Sequence, residues 1–169
     1  MRILIFSLLV CCLFAAKKSC PVPELKMLMT GMLNTMGVQE DITKLVECVT
    51  DVRGEDWDRV ILMISLINWR DPMELVFGFQ MYMGVHILAF EDLISCSEKE
   101  IPEIIKKIKI LMENETIFGE KVRGMASRIR KAVHQFVESW EAHYFEEAGM
   151  ITGRLINEVF FDGMHKMHK

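Results

Sequence analysis

The chain has 169 residues, a formal net charge of −4, and a composition that is 51% hydrophobic and 26% charged. That length suits one domain, and the hydrophobic fraction excludes an intrinsically disordered chain. The acidic balance argues against nucleic acid as the principal partner, because binding there rests on a net basic footprint.

Arg2, the apolar run Ile3–Phe14 and the small pair Ala15-Ala16 read as a secretory signal peptide over residues 1–16. Residues 17–163 are then expected to form a single helical domain, and 164–169 a short flexible tail. Apolar residues recur with a period of 3.6 and not 2, which predicts an all-α, up-and-down bundle of about six to seven helices. The first helix follows Pro21-Val22-Pro23, with Leu25, Leu28, Met29, Met32, Leu33 and Met36 on one side and Gly37 as its stop. A second, short helix is expected from Gln39 to Thr50. A third opens at Glu55-Asp56-Trp57-Asp58, where acidic residues suit the positive end of a helix, and ends near Trp69-Arg70.

Asp71-Pro72 supplies a cap and a first-turn proline for the helix at 72–95, around which the rest of the chain is arranged. From Leu75 to Phe90 it carries no Asp, Glu, Lys or Arg. A helix apolar on every side is either buried or spans a membrane. A span needs about 20 apolar residues and is oriented by basic flanks. This run is shorter, contains Gln80 and His86, and is flanked by Asp71, Glu74, Glu91 and Asp92. It therefore reads as a buried central helix, with a membrane anchor at 75–90 as the alternative. Beyond it, Ser97-x-x-Glu100 matches a capping box. Ile101, Ile104, Ile105, Ile108 and Leu111 make the stripe of the next helix, which Asn114–Thr116 interrupts. One long helix is expected from Ile117 to Ser139 and a last one from Tyr144 to Phe161, with a weak break near Glu141–His143.

Removal of the leader leaves Cys20, Cys48 and Cys96 as disulfide candidates, an odd count in an oxidising compartment. Alternating helices place all three at one end of the bundle. Any pair could meet; adjacency in the first hairpin favours Cys20–Cys48. Asn114-Glu115-Thr116 is a glycosylation sequon in an inter-helix turn, so Asn114 is a candidate modification site. Gly149 and Gly153 lie four apart on one helix face, a spacing that lets a neighbouring helix come close. No nucleophile elbow, phosphate loop, HExxH helix, dinucleotide fingerprint or metal-ligand spacing is present, so no catalytic residue, metal or cofactor is expected. His165 and His168 belong to the tail.

Cys20, Gly31 six residues before Gly37, Lys44-Leu45-Val46-Glu47-Cys48-Val49, Cys96 after the long apolar helix, and Tyr144 followed by Gly149, Gly153 and Leu155 occur in this order over nearly the whole mature chain. That ordered set resembles a family of small secreted helical proteins of ciliated protists. The resemblance implies an all-helical secreted domain and no activity. The expected function is a secreted, non-catalytic binding or structural role toward a protein or an apolar ligand. A carrier of an apolar small molecule or lipid is one alternative, with Phe79, Met83 and His86 as its pocket. A membrane-associated protein is the other.

Overall fold

The computed structural model describes residues 22–49 and 57–161. These form eight α-helices: α1 Val22–Met36, α2 Ile42–Cys48, α3 Trp57–Ser65, α4 Pro72–Leu93, α5 Glu100–Glu113, α6 Glu115–Gly124, α7 Ala126–Glu141 and α8 Phe145–Ile156. A π-helical segment, Asn157–Phe161, continues α8. No strand occurs among the described residues, so the all-α bundle holds. The leader, Cys20 and the 164–169 tail lie outside the described residues.

Local chemistry sets most helix ends. Asp71 Oδ1 accepts the N–H groups of Met73 and Glu74 at 2.8 and 3.0 Å, with Pro72 in the first turn. α1 stops where Gly37 adopts φ 75°, its N–H bonding to Asn34 O while Val38 N–H reaches Leu33 O. The same paired closure ends α7, with His143 at φ 63° in the glycine position, so the break before Tyr144 is a left-handed helix stop. The second helix starts later and the third ends earlier than expected, while Thr50, Glu55 and Asp56 lie outside the described residues. α2 starts at Ile42 because Asp41 caps Lys44 N–H, and α3 ends at Ser65.

The expected helix from Ile117 to Ser139 is two helices. Asn114 ends α5 and also caps α6 through Ile117 N–H, and the chain turns at Met125, whose φ is −106° and ψ 12°. Gly124, a poor helix former, immediately precedes that turn. The apolar steps cross the break in register, since Ile129, Val133, Phe136 and Trp140 are buried like Phe118 and Val122. A one-residue turn is therefore invisible to the periodicity.

α4 is the longest helix, but it is not enclosed on every side. Leu75, Phe79, Tyr82, Met83 and Phe90 are buried, while Met73 is 78% exposed and Gln80 faces outward. The closest helix pair is α1 with α8, across Gly31, Gly149 and Gly153. A methyl group at Gly31 would overlap the Glu146 carbonyl oxygen, and one at Gly149 the Leu28 carbonyl oxygen. Backbone thus lies on backbone along this seam. Five α1 residues, Leu25, Leu28, Met29, Met32 and Leu33, are wholly buried beside it.

Two carboxylates are exchanged between the start of α2 and the start of α5. Glu40 accepts the N–H groups of Glu98, Lys99 and Glu100 at 3.3, 3.1 and 2.8 Å, and the Ser97 hydroxyl at 3.0 Å. Glu100 accepts in return from Gln39 N–H at 2.7 Å and Glu40 N–H at 3.4 Å. The box expected within Ser97–Glu100 is therefore closed across two segments, with only Ser97 accepting locally, from Ile101 N–H at 3.2 Å. Burial works against ionisation of Glu40, but the N–H groups of Glu100, Lys99 and Glu98 and the Ser97 hydroxyl outweigh it and hold its pKa below the ordinary value. This contribution is present above the unfolded carboxylate pKa and disappears as pH falls through the folded one. Glu40→Ala strips the cap from α5 and should lower stability by about 1–2 kcal/mol, the upper range for a lost N-cap. Urea denaturation at neutral pH measures it; an unchanged midpoint would show that water replaces Glu40 without loss.

Cys48 and Cys96 are joined, with S–S 2.06 Å and Cα atoms 6.0 Å apart. This corrects the favoured Cys20–Cys48 pair. Adjacency in the chain does not say which neighbour the end of α2 meets. That end packs against α4, and the Glu40–Glu100 exchange holds the segment after α4 beside α2. The shared-end geometry inferred for Cys48 and Cys96 is retained.

Candidate functional site

Phe79, Met83 and His86 do not line an opening. Each is wholly buried, and rings fill the space around them. The imidazole of His86 lies 4.5 Å from the Tyr82 ring, 5.3 Å from Phe136 and 5.5 Å from Trp57, centroid to centroid. Phe79 stacks on Phe118 at 6.0 Å. These residues belong to an aromatic core shared by α3, α4, α6 and α7.

The polar atoms in that core cluster around Thr152. His86 Nδ1 lies 2.8 Å from Tyr82 O, which can only accept, so Nδ1 carries the proton. Its Nε2 faces Thr152 Oγ1 at 3.4 Å, and Tyr82 Oη lies 2.6 Å from the same hydroxyl. Thr152 donates its one proton to Ala148 O at 3.1 Å, so it accepts from Tyr82 Oη, and His86 Nε2 only lies against it. Thr152 thus ties α4 to α8. Burial pushes the His86 pKa down to about 4, against the opposing pull of its bond to Tyr82 O, and pushes the Tyr82 phenol up.

A pH dependence follows. Above pH 6.5 His86 is neutral in both folded and unfolded chains. Between 6.5 and about 4 the unfolded chain takes up a proton that the folded one refuses, so stability falls with pH across that window. The loss should approach about 3 kcal/mol near pH 4. His86→Leu should flatten the curve between pH 7.5 and 4.5 in urea titrations. An equally steep curve in that variant would place the acid sensitivity elsewhere.

An opening does exist where α1 ends beside α5 and the π-helical segment. It is a cleft of about 210 Å³ lined by Met36, Gly37, Val38, Glu100, Glu103, Ile104, Lys107, Asn157 and Phe161. The C-terminal stop at Gly37 turns the chain so that Val38 forms one wall. The stripe of α5 supplies Ile104, one turn from Glu100 and Lys107. Widening of α8 into the π-helical segment brings Asn157 and Phe161 to the opposite wall, a departure from α-geometry that often accompanies functional sites. Asn157 Nδ2 donates to Thr35 O at 3.0 Å, and Gln39 Nε2 donates to Gly37 O at 2.8 Å, so side-chain amides serve two carbonyls at the end of α1. Lys107 Nζ stands 5.8 Å from the Phe161 ring centroid. Glu103 pairs with Lys99 at 3.5 Å on the surface.

Sequence reasoning placed Ile104 and Met36 on helix faces and Phe161 at a helix end, but not together. The only sign of the cleft was that the stop at Gly37 and the helix start near Glu100 both lie at bundle ends. Other flagged residues lie apart from it. Asn114 and Thr116 are exposed, and the α6 cap uses Asn114 Oδ1, not the Nδ2 that would carry a glycan. Exposed His134 pairs with Glu138 at 3.1 Å. Pro72–Glu91 is long and apolar enough to cross a membrane by length and composition, with half of its most apolar window buried in the protein. Among the described residues, no group of three or more His, Cys, Asp or Glu is placed to hold a metal ion.

The fold and cleft define a small, disulfide-braced, all-helical protein with a small-ligand-sized opening at a bundle end. No family model matches the chain, and neither a curated protein nor a solved structure does.

Proposed function

We propose that this chain is a secreted, non-catalytic binding protein whose site is the cleft between α1, α5 and the π-helical segment. The cleft itself carries the reading: its walls are Met36, Val38, Ile104 and Phe161, with a few charged and amide groups at the rim, the usual make-up of a small-ligand site. At about 210 Å³ it suits a small molecule or a single side chain better than a lipid chain. The carrier alternative therefore moves from the filled His86 core to this cleft and to smaller ligands.

Secretion is supported by the leader-like N-terminus and by a disulfide, which persists in oxidising compartments. A glycan on exposed Asn114 fits the same route. The non-catalytic reading rests on His86, whose Nδ1 is bonded to Tyr82 O and whose ring is wholly closed to solvent, a structural and not a chemical arrangement. Anchoring by α4 is disfavoured because Tyr82 on that helix bonds to Thr152 of α8 and His86 packs beside it, contacts that insertion would break.

Expression with the native leader in a eukaryotic host tests the whole reading. The protein should appear in the medium and remain in the supernatant after carbonate treatment of cell fractions. Native mass spectrometry should show no retained lipid. Retention in the carbonate-resistant pellet would favour the anchor, and a stoichiometric lipid would favour the lipid carrier.

A further inference from the structure

We infer that the cleft takes a protonated primary amine on a short apolar body, an inference that rests on reading the cleft as the binding site. Charge at the rim selects the class. The lining holds two carboxylates, Glu100 and Glu103, and one ammonium, Lys107, with Lys99 paired to Glu103 from outside it. Met36 and Gly37, the carbonyl end of α1, form part of the lining, and that end of a helix carries partial negative charge. The two amides already bonded to Thr35 O and Gly37 O show that this end is served by donors.

Lys107 is the resident example of such a cation. Its ammonium stands over the Phe161 ring, where a positive charge is attracted to the aromatic face. Its side chain is exposed. Glu100 is held in place by Gln39 N–H, whereas Glu103 is engaged by a surface ion pair and can turn to the ligand. Beneath the charges, Val38 and Ile104 offer apolar surface for a chain of a few carbons. A carboxylate ligand would meet Glu100 and Glu103 there.

The test is a titration of the full mature chain at pH 7 with n-hexylamine, hexanoate and hexanol, followed by the methyl NMR signals of Met36 and Ile104. Hexylamine should shift them saturably and bind more tightly than the other two probes. Glu103→Gln should weaken hexylamine roughly three- to tenfold, the size of one partly exposed charge contact. Lys107→Met should tighten it, because the competing ammonium is gone; a merely structural role for Lys107 would not move affinity in that direction. Glu120→Gln, the same charge loss outside the cleft, should change nothing. Hexanoate or hexanol binding as tightly as hexylamine, or Lys107→Met weakening the amine, would overturn the ligand class while leaving the cleft as a binding site. Silence of both methyl signals to all three probes would overturn both.

Discussion

Replacing Cys48 and Cys96 together by serine should lower the melting temperature by roughly 10–15 °C. The bridge spans a sequence separation of 48 residues. In the chain-entropy treatment, a loop of that size restricts the unfolded chain by about 4 kcal/mol. For a domain of this length each kcal/mol moves the midpoint by roughly 2–4 °C. The loop contains α3 and all of α4, so the unfolded state gains freedom over about a third of the domain when the bridge is cut. The folded state should survive, because the Glu40–Glu100 exchange still holds the start of α5 against the start of α2. Calorimetry of the double variant measures the shift, and peptide mapping of unreduced protein should find Cys48 linked to Cys96 with Cys20 left over. A midpoint moved by less than about 2 °C, or a peptide linking Cys20 to either partner, would contradict this arrangement. Combining the double serine variant with Glu40→Ala should lower stability by more than the two separate losses together, since both devices hold the same pair of segments.

Gly149→Val should abolish cooperative unfolding, and Gly149→Ala should destabilise by about 3 kcal/mol or more. Ordinary overpacking costs about 1–3 kcal/mol because neighbouring side chains can shift aside. Here the nearest atoms are the Leu28 carbonyl and the Met32 amide, backbone atoms of a helix that cannot yield locally. One added methyl would push α1 from α8, opening the seam at Gly31 and Gly153 as well. The contrast is Gly84, also helical, where a methyl would meet nothing within 4 Å. Gly84→Ala should therefore stabilise by up to about 1 kcal/mol through helix propensity alone. Urea unfolding of both alanine variants reads the pair directly. A Gly149→Ala midpoint matching the unsubstituted protein would mean that the two helices stand farther apart.

Several features could be read from the chain because their causes are local. Asp71-Pro72 announces a helix start through one side chain and one ring, and Gly37 a stop through its own φ. The α5 stripe follows from spacing alone, and Ile101, Ile105 and Ile108 are buried. The stop at His143 was harder to see, because a non-glycine residue holds the left-handed position there. The turn at Met125 was hidden because it preserves the register of the apolar face. The apolar composition of α4 suggested enclosure on all sides, yet Met73 and Leu66 are 78% and 76% exposed at the corner between α3 and α4. Composition reports the average environment of a helix; it does not say which face a neighbour covers.

The sequence by itself determined an all-helical chain, the faces of its helices, the burial of His86 within an apolar stretch and the close approach marked by Gly149 and Gly153. Tertiary structure alone decided that Cys96 and not Cys20 meets Cys48, that Glu40 and Glu100 cap each other's segments, that Thr152 joins Tyr82 and His86, and that a cleft opens between Val38, Ile104 and Phe161. Helix faces follow from a period of 3.6 residues acting over neighbours in the chain. The other contacts join residues about 50 to 120 positions apart, and their energy depends on where helices cross in space, which leaves no periodic mark on the sequence.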